Sequence, residues 1–304
     1  MRISIPVSAF VAAIVGFGGT LAIVIAAAKA VGATQIETAS WVTAICLAMA
    51  AESLWLSWRT KMPVITAWST PGVALIAASS GVSLPEAVGA FIVTAVLLIA
   101  TGLFGPLTRL IARIPSSVAS GMLAGIVVTF AINAAKAVPT DPWLILPLIV
   151  AFFVIRLFNP ALSVLAVLIG GGAAAFLTGR VGGLPTPELS TLTLVAPSFT
   201  AASIIGLALP LYLVTMASQN LSGLAVLRAA GYHPEPGPLI GVTGLFSLLS
   251  APFGASTTNL AAISAAMMAT TASGGVARET LRSEETRFRQ TLDHGLKLLD
   301  EATA

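Results

Sequence analysis

Glu52 is an acid in an apolar run, Ala50-Ala51-Glu52-Ser53-Leu54. An ionisable residue at membrane depth is costly and marks a functional site by default. A carboxyl withdrawn from water can take up and release a proton, which suits proton coupling. The competing reading is a glutamate near its helix end that reaches water or pairs with Arg59. The second chemical feature is Ser69-Thr70-Pro71-Gly72, in the middle of the apolar stretch 62–79, MPVITAWSTPGVALIAAS. Pro71 fits the first turn of a helix, where its missing N–H costs nothing, and Ser69 or Thr70 can cap that helix. The preceding Pro63–Trp68 run is rich in strand formers. Half a strand and half a helix are therefore expected to meet at membrane depth. Such breaks are tolerated only where protein buries them or they line a cavity, and in transporters they aim helix N-termini at substrate. Ser69, Thr70 and the N–H groups after Gly72 could hold a carboxylate, or could cap only their own backbone. Trp68 beside them could stack on an aromatic substrate or pack against a neighbour.

Two more polar clusters interrupt apolar sequence. Tyr212, Thr215, Ser218, Gln219 and Asn220 lie in 209–232, LPLYLVTMASQNLSGLAVLRAAGY, and Ser256, Thr257 and Asn259 follow Pro252-Phe253-Gly254. Buried polar groups must find partners, either a substrate or the adjacent helices. Asn133 reads as a helix–helix contact. His233 is in a Pro-rich loop and His294 in a charged tail, neither with a metal-ligand partner at useful spacing. There is no nucleophile elbow, phosphate-binding loop or zinc motif, so neither enzyme catalysis nor a metal or cofactor is expected. The single Cys46 excludes an internal disulfide.

The elements that must position these residues are membrane helices. The 304 residues are 57% hydrophobic and 9% charged, with a mean hydropathy of +0.97. Soluble domains carry about 25% charged residues, so a polytopic membrane protein is expected. The net charge of +3 gives no reason to expect nucleic-acid binding. Crossing a bilayer takes about 20 apolar residues, and the pattern predicts spans at 8–30, 39–57, 63–80 (broken), 86–105, 116–137, 142–158, 161–178, 198–221, 238–250 and 252–270 (broken). The apolar run from Ile5 to Ala30 is too long for a cleavable signal. Gly16–Gly19, Gly121/Gly125 and Gly170–Gly172 suit close helix packing. Arg59, Lys61, Arg109, Arg113, Arg156 and Arg228 fall on one side, against Lys29, Lys136 and Arg180, which puts the N-terminus in the cytoplasm.

The segment from Pro252 echoes the one from Pro63: a Pro-led run, a Ser/Thr cluster, then Ala-rich sequence. Seven spans separate them, an odd number, which makes the repeats inverted. Residues 1–272 read as a transporter domain, with a first repeat at about 5–180 and a partial second at about 197–272. Residues 273–304 change character, and their apolar residues recur at helical spacing in a charged, amphipathic tail.

At AWSTPG (67–72), at 209–232 and at APFGAS-TTNLAAISAA (251–266), the chain resembles the BenE family of benzoate–proton symporters. The resemblance covers about 5–270. It implies the uracil-permease fold, an all-α polytopic architecture of two inverted seven-segment repeats. In that fold segments three and ten are part strand and part helix, with substrate between them. The resemblance, and not the composition, supplies benzoate and protons as the partners, and the bacterial inner membrane as the location. Laid on this chain, the carboxylate goes to Ser69, Thr70 and Gly72 beside Trp68, and Ser256, Thr257 and Asn259 face it. Tyr212, Gln219 and Asn220 complete the pocket, and Glu52 is the proton carrier. A nucleobase or inorganic-anion permease of the same fold is the alternative, followed by a non-transporting membrane fragment. A homo-oligomer is compatible with the sequence.

Two departures from the family matter. Family members often have a histidine after the Phe-Gly of segment ten, where this chain has Ala255-Ser256; if that histidine takes part in coupling, coupling here moves to Glu52 or is in doubt. The family chain also continues for about four more spans, whereas here the second repeat gives way to the tail. ETLRSEETRFRQTLDHGLKLLDE (279–301) resembles a helical segment of alanyl-tRNA synthetases, suggesting a truncated or chimeric chain. Lipid covers apolar side chains but cannot satisfy broken backbone. The expectation is that the 304-residue chain alone is unstable or inactive; clear uptake of labelled benzoate by cells expressing it would overturn this.

Overall fold

Helix starts follow from their capping residues. In the computed structural model, which describes residues 4–106, 132, 135–158, 160–179, 190–229 and 231–261, α1 (Ser4–Ala30) is followed by α2 (Gln35–Thr60). Thr34 and Glu37 form a reciprocal capping box at the start of α2, and Lys61, at φ 57°, ends it in a left-handed turn. The broken span is then a three-residue strand, β1 (Thr66–Trp68), and a short helix, α3 (Thr70–Ala78). Ser69 caps α3 by accepting from Gly72 N at 3.2 Å, and Pro71 occupies the first turn. A second capping box, Ser83 with Glu86, opens α4 (Leu84–Leu103). Next come α5 (Pro142–Phe158) and α6 (Pro160–Leu177), then an extended strap over 190–200. The span Ala201–Arg228 is one helix, α7, interrupted by π-helical turns at Ile204–Ala208 and Thr215–Asn220. Pro236–Ser250 forms α8, and a 3₁₀ turn, Ala251–Phe253, closes on Gly254 at φ 84°. Strand β2 (Thr258–Leu260) follows.

The chain is mostly helical, and among the described residues four helices (α2, α4, α7 and the run Pro236–Phe253) are long and apolar enough to cross a membrane. The first predicted break is present as a strand and a half-helix, and the strand half of the second is present. The helical half predicted after β2, the fifth span, Asn133, Arg109, Arg113, Arg180, Gly121, Gly125 and the tail with His294 lie outside the described residues.

Two apolar clusters flank the breaks. One joins α1 to α4 through Val24, Trp41, Ile45, Val73 and Phe91 and reaches Leu207 and Leu211 of α7. The other gathers Leu56, Leu98, Met216, Leu224, Ile240 and Leu260 around β2. The strap ties the first cluster down: Val195 N donates to Pro252 O and Ser198 N to Pro85 O, each at 2.8 Å. Helices α4 and α8 cross on backbone instead of side chains. A Cβ on Gly102 would stand 2.5 Å from Gly241 Cα and 2.7 Å from Gly237 O. This is the close approach that small residues permit in membranes. Of the predicted packing glycines, Gly18 is as tight, since a Cβ there would lie 2.5 Å from Leu168 Cδ2, whereas Gly171 would meet only Leu148 side-chain atoms at 3.3 Å or more and Gly172 nothing within 4 Å.

Gly102→Ala should therefore lower the thermal midpoint in detergent, an overpacking cost of roughly 1–3 kcal/mol. Gly172→Ala should leave that midpoint unchanged or slightly raised; equal effects of the two would contradict the backbone contact.

Candidate functional site

The two broken segments cross. Strands β1 and β2 pair antiparallel, with Thr66 opposite Leu260, Ala67 opposite Asn259 and Trp68 opposite Thr258. The ladder extends one bond at each end: Ser69 N donates to Thr257 O at 3.1 Å and Ala261 N to Ile65 O at 2.9 Å. Each segment thus satisfies backbone groups that the other leaves open. Asn259, with its amide oriented to suit its neighbours, also accepts from Ser69 N at 2.8 Å.

At the helix end of this crossing, three hydroxyls from three elements meet. Thr215 on α7 donates to Ser69 Oγ at 2.9 Å and lies 3.3 Å from Thr257 Oγ1. All three residues are buried. Thr215 gets there because the π-helical turn at Thr215–Asn220 widens the helix, a distortion often found at functional sites. Ser256, next along the chain from Thr257, is also buried, and its hydroxyl has no hydrogen-bond partner. Within the first turn of α3, Gly72 N is taken by Ser69 Oγ, and Val73 N by Ser69 O at 2.7 Å. In this state the cap serves its own backbone. Gly72 itself is closely held: a Cβ there would lie 2.5 Å from Leu211 Cδ1.

Glu52 meets the same crossing at Thr258, which stands opposite Trp68, one position from Ser69 and Thr257. It is fully buried, and Thr258 Oγ1 donates to its Oε2 at 3.0 Å. Its Oε1 has no hydrogen-bond partner. Arg59 is exposed, so the alternative of a glutamate reaching water or pairing with that arginine does not hold in this arrangement. Close by, Ser53 Oγ lies 2.7 Å from Thr66 Oγ1, and Thr66 donates to Met49 O at 3.1 Å.

Residues 1–278 match the family described as benzoate membrane transport protein, BenE. The chain belongs to the BenE family. It is 38% identical over 260 residues to the inner membrane protein YdcO of Escherichia coli, covering 85% of this chain and 66% of that protein. It is 34% identical over 267 residues to the benzoate membrane transport protein of Acinetobacter baylyi, covering 87% of this chain and 68% of that one. The chain thus spans about two thirds of the length of these relatives. A separate stretch of 26 residues is 85% identical to the alanine–tRNA ligase of Dinoroseobacter shibae, 9% of this chain and 3% of that enzyme. BenE proteins are membrane transporters and not enzymes.

In this BenE chain the other predicted site residues are spread along the crossing. Trp68 is buried, donates to Thr20 Oγ1 at 2.9 Å and tilts against Phe17 with ring centroids 5.8 Å apart. Thr70 is half-buried at the start of α3. Tyr212 turns to α4, where its hydroxyl meets Thr101 Oγ1 at 2.5 Å. Asn220 accepts from Leu260 N at 3.0 Å and so closes the open edge of β2. Gln219 is half-buried, with no hydrogen bond among the described residues. Thr215 was visible as one polar residue among five, but nothing in the spacing singles it out, because a π turn shifts the helical phase. Thr66, Ser247 and Thr258 were legible only as ordinary hydroxyls.

Asn220→Ala leaves the Leu260 N–H buried without an acceptor and should destabilise the protein by about 1–3 kcal/mol. Gln219→Ala should change stability little. Thermal midpoints of the two variants in detergent check this, and a neutral Asn220→Ala would remove Asn220 as a brace of β2.

Proposed function

We propose that this chain is a benzoate–proton symporter of the bacterial inner membrane, with its N-terminus in the cytoplasm. The observation that carries the reading is the crossing itself. A capped half-helix N-terminus, the Ser69–Thr215–Thr257 hydroxyls and the unpartnered Ser256 hydroxyl converge in a BenE chain. The N-terminus of α3 favours negative charge. A benzoate carboxylate would take over the Gly72 N–H from Ser69 Oγ and accept from the hydroxyls around it. Trp68 and Asn259 would shape the pocket, and Thr70 would stand at its rim. Tyr212, Gln219 and Asn220 would support it from α7. The benzoate transport protein of Acinetobacter baylyi, at 34% identity, supports the substrate.

Proton coupling is assigned to Glu52. Where the resemblance led one to look for a histidine, the chain has Ala255-Ser256, both buried. Glu52 is the acid that touches a broken segment, through Thr258. Movement of one bundle against the other around the crossing would then carry benzoate and proton together. The uracil-permease arrangement of inverted repeats is part of this proposal, as is the division into a transporter domain at 1–272 and a charged tail.

Binding is measured apart from uptake. Labelled benzoate should bind the purified chain in detergent, and Ser69→Ala combined with Thr215→Val should weaken binding by about tenfold or more, the loss of charge-assisted hydrogen bonds. Saturable binding of labelled uracil or sulfate that benzoate does not displace would overturn the substrate. For coupling, Glu52→Gln should retain benzoate binding and, in a chain extended to the length of its relatives, abolish protonophore-sensitive uptake. Uptake in that variant that still collapses with protonophore would exclude Glu52.

A further inference from the structure

We propose that Thr258 is the residue through which a proton on Glu52 changes the hold of helix α8 on the second broken segment. The inference rests on the assignment of Glu52 as the proton site. Thr258 Oγ1 stands among three oxygens: Glu52 Oε2 on α2 at 3.0 Å, Ser247 Oγ on α8 at 3.1 Å and Thr243 O on α8 at 3.2 Å. Ser247 is already engaged, donating to Thr243 O at 2.7 Å and accepting from Thr258 N at 2.9 Å. A hydroxyl has one hydrogen to donate. The single Thr258 hydrogen therefore chooses between α2 and α8.

The carboxyl decides that choice. Ionised, Glu52 is acceptor-only, and the Thr258 hydrogen is drawn to Oε2. When a proton from water adds to the carboxylate, an O–H bond forms and no bond in the protein breaks. On Oε2 that proton donates to Thr258 Oγ1, which stands 3.0 Å away. Thr258 then turns its own hydrogen to Thr243 O. The protonated state keeps the α2 contact and adds one hydrogen bond from β2 to α8. Release of the proton to water reverses both changes. The Thr258 hydroxyl is thus bonded to one helix or to two, according to the proton, while Thr258 N stays on Ser247 Oγ of α8 in both states.

No other titratable group competes at this point. The elements packed against α2 are α1, α8, the 3₁₀ turn Ala251–Phe253 and both strands. Among the described residues α8, the turn and the strands have no titratable side chain, and α1 has only Lys29, exposed in its last turn. On α2 itself, Glu37 is in the first turn, Arg59 in the last, and Cys46 is half-buried.

The test uses the intact chain in lipid vesicles and does not depend on transport. Infrared difference spectra between acidic and alkaline buffer identify Glu52 by a carboxylic-acid band that Glu52→Gln removes. Amide hydrogen exchange of 256–261, corrected for the intrinsic effect of pH, reads the hold on the segment. Exchange in wild type should slow roughly fivefold on protonation, what one ordinary hydrogen bond supplies. Thr258→Ser should keep this response and Thr258→Val should lose it, with unchanged exchange at the start of α4 as the sign that the variant is folded. Thr258→Cys, a weak donor, replaces the valine variant if that one does not fold, and should also lose the response. A wild-type response in the valine or cysteine variant would overturn the role of Thr258 while Glu52 stands. No band sensitive to Glu52→Gln would overturn the Glu52 assignment and this inference with it.

Discussion

A backbone interrupted within a membrane must have its N–H and C=O groups satisfied by protein, and the rest of this structure follows from how that is done here. Neither broken segment could stand alone. Paired antiparallel over residues 65–69 and 257–261, each supplies the partners that the other lacks. The pairing leaves outer edges, and these are closed by side chains: Ser53 and Ser57 of α2 along the first segment, Ser247 of α8 and Asn220 of α7 along the second. The crossing is thus a small polar core held by hydroxyls and one amide, wrapped by two apolar clusters.

That solution also generates the chemistry. Hydroxyls suit a satisfied backbone because each both donates and accepts, and the same property lets them exchange partners with a ligand or a proton. At one end of the crossing Ser69 divides its oxygen between a helix cap and Thr215. One position along, Thr258 divides its contacts between α2 and α8. Placing Glu52 against the second of these ties an ionisable group to a segment that also lines the candidate carboxylate site. Structural and functional roles fall on the same atoms, so a substitution in the crossing has to be read through both stability and binding.

The framework around the crossing is built on a different principle. Helices α4 and α8 meet backbone to backbone at Gly102 and Gly241, where dispersion and close approach replace polar bonds. Tyr212 joins α7 to α4 through Thr101. These contacts fix the helices from which Thr215, Asn220 and Ser247 reach inward, with little polar chemistry of their own.

The sequence by itself determined the membrane class, the first break and the strand half of the second, while it left open whether Glu52 is buried or reaches water. Each of these depends on local facts: hydropathy over a span, the fixed φ of Pro71, the capping preference of Ser69. BenE membership was legible for the same reason, in short strings around those breaks. Which residues meet was not legible. Thr258 and Glu52 are separated by 206 positions, and Thr215 and Ser69 by 146; a serine or threonine at such distance carries no local sign of its partner. The π-helical turn shifted the phase of α7, so that Tyr212, Thr215 and Asn220 went to three different neighbours. The packing glycines were similarly hidden, because what distinguishes Gly102 from Gly172 is the backbone opposite, which only the tertiary arrangement of α4 against α8 supplies.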